Sequence, residues 1–200
     1  AFQTHDNQPW MKVTYGEKGN PVHYINVYER EFIIESGTKT EISPNRLVIA
    51  VGKSGTRLKI GKGIKIYQTD GKVFVETRAH PIYVKSYMAN LINGQPTDTV
   101  MEINSMMTFK VWDDTDFAKL FSKSCDEYVH LDRLKTWGTV HIGLTDKFGY
   151  SKEEGEQERS DGTSSATLRP EYGCGVEISL LHVYPIVKKT EDFLCTSTNA

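Results

Sequence analysis

With 200 residues and 38% hydrophobic side chains, the chain has the length of one domain and enough apolar mass to bury a core, which excludes wholesale disorder. Its net charge of −2 excludes a dedicated DNA-binding face, since that needs clustered Lys and Arg to displace counterions from phosphate, so DNA is expected to be reached only through a separate domain. No apolar run approaches the ~18 residues that cross a bilayer, and no membrane partner is expected.

The start, Ala1–Trp10, lacks the basic and apolar regions of a signal peptide, and the absence of an initiator Met suggests a domain excised from a longer chain. Strand signals follow. Met11–Tyr15 alternates weakly, and Val22–Tyr28 and Glu31–Glu35 carry β-branched and aromatic residues. Leu47–Val51 is a continuous apolar run, which predicts a strand buried on both faces. Ile64, Ile66 and Tyr67 precede Asp70-Gly71 and then Val73, Phe74 and Val75. Asp-Gly between two β-rich runs predicts a hairpin, because a primed turn needs positive φ. Ile82–Val84, Val100–Ile103 and Thr108–Trp112 continue the pattern, and Phe74, Ile82, Phe109 and Leu180 are expected inside a sandwich.

The period then changes. Phe117, Leu120 and Phe121 fall on one helical face, with Asp113 and Asp114 placed to cap its free N–H groups. Val129, Leu131 and Leu134 predict a further short helix, Thr139–Leu144 and Val176–Leu181 return to strand, and Val183–Leu194 reads as a last helix with Pro185 in its first turn. Asp146–Tyr172, rich in Gly, Ser, Glu and Lys, is either a functional loop or locally disordered, and its Ser160–Ser165 stretch reads as a solvated tip before it reads as a phosphate acceptor.

Motifs of catalysis fail one by one. Gly52-Lys53-Ser54 resembles the end of a phosphate-binding loop, but the glycine required five residues before Gly52 is Leu47, so the stretch reads as a turn between strands. Gly61 and Gly63 form a lone GxG ahead of a strand, not the helix that dinucleotide binding needs. The histidines, His5, His23, His80, His130, His141 and His182, have no partner at zinc-ligand spacing, and Asp113, Asp114 and Asp116 lack EF-hand spacing, so neither metal nor cofactor is expected. With no G-x-S-x-G elbow either, the chain is expected not to be an enzyme. Cys125, Cys174 and Cys195, odd in number and far apart, suggest a reduced, intracellular protein.

Four collinear stretches carry a resemblance. Arg57–Ser86 (RLKIGKGIKIYQTDGKVFVETRAHPIYVKS) and Thr99–Ser124 (TVMEINSMMTFKVWDDTDFAKLFSKS) are followed by Leu131-Asp132-Arg133-Leu134 and by Gly173-Cys174-Gly175-Val176-Glu177-Ile178. Together they resemble the Mad-homology 2 domain of the Smad family, from about Trp10 to Leu194. The resemblance implies a mainly β fold, a Smad/FHA-like β-sandwich with a helical bundle at one end and a C-terminal helix, as a single domain over residues 1–200 with a core of about 10–194. It implies a non-catalytic protein-interaction module of a transcription regulator in TGF-β-type signalling. The implied partners are other Smads and transcription cofactors, met in the cytoplasm and the nucleus. Arg57, Asp113 and Asp116 are the implied subunit-interface residues, and Lys85, Lys147, Lys152, Arg159 and Arg169 the implied phosphoserine-binding ones. The Ser86-Tyr87 segment with Gly94, Pro96, Asp98 and Val100 is most like a common-mediator Smad, of nematode texture.

Departures from the family pattern bear on function. A subunit-joining loop is cut back to Gly52–Thr56, positions where the phosphoserine pocket needs cations read Leu91, Gln95 and Glu102, and the long loop carries Glu153, Glu154, Glu156 and Glu158. The ending Cys195–Ala200 is not the S-S-x-S tail of a receptor substrate. An alternative reading is a phosphopeptide-binding FHA-like module outside TGF-β signalling, which lacks its G-R…S-x-H signature here.

Overall fold

The computed structural model describes residues 8–124, 136–146 and 173–181. The chain opens with β1 (Met11–Glu17) and β2 (Asn20–Val27), joined by Lys18 and Gly19 at φ 48° and 76°. Two left-handed residues in succession make a primed turn, whose twist matches the flanking strands. Next come β3 (Glu31–Gly37), the short β4 (Glu41–Ser43), β5 (Arg46–Ala50) and one helical turn, α1 (Gly55–Leu58). The predicted Asp70-Gly71 hairpin joins β6 (Ile64–Thr69) to β7 (Lys72–Thr77), with φ 49° and 74° at its tip. Then follow β8 (Ile82–Ser86), α2 (Tyr87–Ile92), β9 (Met101–Ile103), β10 (Thr108–Asp113), α3 (Asp114–Ser124), β11 (Thr139–Gly143) and β12 (Cys174–Leu180).

These strands form two six-stranded sheets, in the orders β2-β1-β12-β11-β8-β9 and β10-β7-β6-β3-β5-β4. All pairings are antiparallel except β3 with β5, where Ile34 lies opposite Leu47. Alternate residues of each strand point inward: Met11, Val13 and Tyr15 from β1, Phe32 and Ile34 from β3, Val73 and Val75 from β7, Val176, Ile178 and Leu180 from β12. The period-two pattern thus builds a sandwich core between the sheets.

Several expectations need correction. Leu47–Val51 is not buried on both faces: Leu47 and Ile49 face the core, while Val48 and Ala50 are half-covered, because the core lies on one face of this sheet only. Val48 keeps its place on the outer face because Gly37, which pairs with Ala50 two positions further along β5, has no side chain, and a Cβ there would come within 2.5 Å of Val48 Cγ1. Phe74 is not in the core either. Val73 and Val75 take the inward positions of β7, and Phe74 stacks on Tyr67 on the outer face with ring centroids 5.3 Å apart. Phe109 sits on an edge strand and is half-buried against the core, whereas Ile82 and Leu180 are buried as expected. Gly52-Lys53-Ser54 is not a turn between two strands: it leads from β5 into α1, and Ser54 Oγ caps that helix by accepting from the Arg57 N–H at 3.2 Å. Nothing in the strand signals pointed to α2, which Ser86 caps in the same way through the Ala89 N–H. The helices expected around Val129–Leu134 and Val183–Leu194 lie outside the described residues.

Candidate functional site

One end of the sandwich gathers around Arg57. The cap at Ser54 fixes α1, and its guanidinium then spans the gap between the two sheets to Glu17, at the end of β1. Arg57 Nε donates to Glu17 Oε1 at 2.7 Å and Nη2 to Oε2 at 3.0 Å, while Nη1 donates to the Ala50 carbonyl at 3.2 Å. The two parallel bonds form the fork that suits a planar guanidinium. Tyr15 lies two residues before Glu17 and donates its hydroxyl to Oε1 at 2.7 Å. Burial pushes the Glu17 carboxyl up, but the bonds from Arg57 and Tyr15 outweigh it and hold the group below the usual carboxylate range. Burial is also the main cause that pushes the Tyr15 hydroxyl and the Cys174 thiol up. Cys174 begins β12, where its N–H donates to Thr145 Oγ1 at 3.0 Å, and Lys18 N–H reaches the Gly173 carbonyl at 3.0 Å. The base of the long loop is therefore fastened to the same corner as Arg57.

The opposite end is built on Asp113, the last residue of β10. Its Oδ1 accepts from the Thr115 N–H at 3.0 Å, the capping role expected of it, and its Oδ2 receives Lys110 Nζ at 2.8 Å. Asp116 shares the same ammonium at 3.5 Å. Burial pushes the Asp113 carboxyl up, yet the bonds from Lys110 and Thr115 hold it below its ordinary value. Asp114 accepts from Trp112 Nε1 at 2.8 Å, and burial pushes its carboxyl up. Each aspartate has a structural task, and no group of ligands fit for a metal occurs among the described residues. Beneath them Phe117 is buried against Trp112, Phe121 and Trp137, with ring centroids 4.9, 5.7 and 5.9 Å away.

Of the residues implied to bind phosphoserine, only Lys85 is described; Lys147, Lys152, Arg159 and Arg169 lie outside. Lys85 stands on the outer face of β8, opposite His141 of β11, which in turn lies opposite Glu177 of β12. Burial holds the Lys85 ammonium below its usual value, against the attraction of Asp98. Burial likewise lowers His141, with Lys85 adding to the effect, although Glu177 Oε2 approaches its Nδ1 to 3.6 Å. Leu91, Gln95 and Glu102 bring no cation to this face: Leu91 is half-buried on α2, and Gln95 and Glu102 are exposed.

Arg57 and the Asp113–Asp116 pair thus stand at separate places, each closed by a partner from its own chain. Glu17 and Tyr15 went unread in the sequence. Their spacing of two on a strand puts both on one face, but nothing local announces Arg57 as their partner.

Comparison with known proteins places this architecture. The MH2 domain matches residues 8–159. A chain from the crystal structure of STAT2 in complex with IRF9 is similar at TM-score 0.57 and 11% identity, covering 92% of this chain and 98% of that one. The IAD domain of interferon regulatory factor 9 is similar at TM-score 0.53 and 11% identity, covering 99% of this chain and 96% of that one. At such identities the two structures establish the fold, a mainly β sandwich of the Smad/FHA kind. The sequence match spans more than half of the chain, so the chain belongs to the MH2 domain family, the non-catalytic protein-interaction domain of Smad proteins.

Proposed function

We propose that this domain serves a Smad transcription regulator in TGF-β-type signalling, assembling with other Smads and with nuclear cofactors. In this reading it works in the cytoplasm and the nucleus, and contacts DNA only through a separate domain. The family match over residues 8–159 carries the proposal. The two ends of the sandwich add to it: they differ in chemistry, an Arg57–Glu17 network at one and an aspartate-capped aromatic cluster at the other, and head-to-tail assembly needs two different patches. Structures of similar fold include one determined as a protein complex, STAT2 with IRF9.

Within the family the reading is a divergent, nematode-type common mediator, supported by Ser86-Tyr87 and the Gly94–Val100 segment. The short Gly52–Thr56 connection supports a domain that is mainly monomeric or weakly associating by itself. Leu91, Gln95, Glu102 and the glutamates at 153, 154, 156 and 158 support weak binding of a doubly phosphorylated S-S-x-S peptide, since acids repel a group of about −1.5 to −2 charges. Light scattering tests the assembly: the domain alone runs as a monomer and joins a phosphorylated Smad partner in a defined complex. A stable homotrimer, or no complex under conditions where the partner itself assembles, sinks the reading. Calorimetric titration tests the pocket, and submicromolar peptide affinity that collapses on Lys147→Ala would show it intact.

A further inference from the structure

The two sheets leave four edge strands among the described residues: β2 and β9 in one, β10 and β4 in the other. Three of them carry the usual guards against pairing with a foreign strand. β4 and β9 are each three residues long and each holds a glutamate, Glu41 and Glu102. β10 holds Lys110 and Asp113, and its pairing with β7 shifts register between Lys110 and Trp112. β2 is different. It runs for eight residues, and from Asn20 through Tyr28 there is no Asp, Glu, Lys or Arg. Pro21 and the register shift beside it guard only the start, and His23–Val27 follows as a regular run opposite Met11–Tyr15.

The strand is fixed from one side. Ile25 and Val27 are buried in the core, and His23 stacks on Tyr15 with ring centroids 6.1 Å apart. Trp10 ties the far end, donating its N–H to the Val27 carbonyl and Nε1 to the Glu29 carbonyl. Among the described residues only β1 and Trp10 bond the β2 backbone, so no described strand lies along its other side. The outer face is apolar as well as open. Tyr24 is 65% exposed and Val22 44%, with exposed Asn26 beside them and exposed Tyr28 just past the end. A strand already held in shape loses little further conformational freedom when another pairs with it.

We propose that β2 takes up an extended, uncharged segment of a partner protein as a further strand of its sheet. In strand addition the main-chain hydrogen bonds supply affinity, and the side chains at alternate positions supply choice. The chemistry of the segment follows from its neighbours. A residue set beside Tyr24 meets the ring and is best β-branched or aromatic. Residues on the other face come beside Ile25 and Val27 at the flank of the core, where a charge would lose water and gain no partner. The segment is therefore neutral over about five or six residues, the ordinary length of a strand. A second copy of β2 fits less well, since antiparallel pairing about Tyr24 brings Lys18 opposite Arg30. Strand addition needs neither a phosphorylated tail nor another Smad, so it stands or falls separately from the assembly proposed above.

The experiment reads fluorescence anisotropy of a fluorescein-labelled peptide that alternates Val and Thr around a central Tyr. It is compared with the same peptide methylated on alternate backbone nitrogens and with one carrying Lys in place of two Val. The first peptide binds, with little change between about 50 and 200 mM salt, because no charge takes part. Methylation removes main-chain donors and abolishes binding, and the Lys peptide binds more weakly. The double variant V22K/Y24K loses about tenfold in affinity, with thermal unfolding little changed because both side chains are exposed. Tyr24→Phe keeps the affinity, and Met106→Lys, at an exposed side chain elsewhere, changes nothing. Hydrogen exchange slows along β2 when the first peptide is bound. The proposal is overturned by absence of binding, by a methylated peptide that binds as well, or by wild-type affinity in V22K/Y24K. It is equally overturned by protection that maps to another strand, or by a dimer of the domain that V22K/Y24K dissolves, since the edge would then belong to a second copy.

Discussion

At the Arg57 corner, a guanidinium reaches a carboxylate 40 positions away in sequence and joins one sheet to the other. At the Asp113 corner, an ammonium meets a carboxylate three positions away, and the join between elements is made instead by stacked aromatics under α3. The first corner is polar throughout, since Tyr15, Glu17, Arg57 and the Ala50 carbonyl satisfy one another. The second is a hydrophobic cluster with a polar cap. Removing a side chain therefore has different consequences at the two places. In the cluster it leaves a cavity; in the network it leaves half-buried polar groups without partners.

The largest effect is expected in the cluster. Phe117→Ala should lower stability by about 3–5 kcal/mol, read as a shift of the denaturant midpoint; an unchanged midpoint would show that α3 does not depend on this ring. Next comes Glu17→Ala, with a loss of about 1–3 kcal/mol, since it strands a charged donor and the Tyr15 hydroxyl together. Arg57→Ala should be of similar size. A double-mutant cycle measures their coupling, and fully additive losses would mean that the fork contributes nothing of its own. Asp113→Ala should cost about 1 kcal/mol through the lost cap.

The smallest effect lies in pH dependence. Glu17 and Asp113 both have folded-state values below their ordinary ones, so each contributes stability that is present above the usual carboxylate range and is lost as pH falls through the lowered value. Asp114, raised by burial, acts in the opposite sense and recovers stability on acidification. Urea titrations from neutral pH down to about pH 3 should show a net loss that is shallower in Glu17→Gln and in Asp113→Asn. An acid limb identical to wild type in both variants would remove these two groups from the account.

The same contrast explains what could be read from the sequence. Asp113 as a cap, Phe117 and Leu120 on one helical face and the Asp70-Gly71 turn are local patterns, decided within a few residues, and each was legible. So was the weak alternation of Met11–Tyr15, which puts Val13 on the core face. Phe74 misled because aromatic bulk looks like core, while period two had already given its neighbours the inward positions. The Leu47–Val51 run misled because the number of covered faces depends on which layers pack on the sheet, and a run of apolar residues does not record that. Arg57 could be singled out only through its family resemblance. Its bond to Glu17 depends on two sheets meeting, and no local pattern encodes that.

The placement of β1 has a consequence for synthesis. It lies between β2 and β12 with Met11 opposite Leu180, so the first described strand finds one of its neighbours only when the last has been made. The other sheet draws all its strands from residues 31–113 and can close long before. At ribosomal rates of about 5–20 residues per second, the β1–β2 hairpin waits roughly 10–30 s with Met11, Val13 and Tyr15 facing a half-built core. During that interval the nascent chain presents an open sheet edge to its surroundings, and chaperones have their clearest opportunity to bind it.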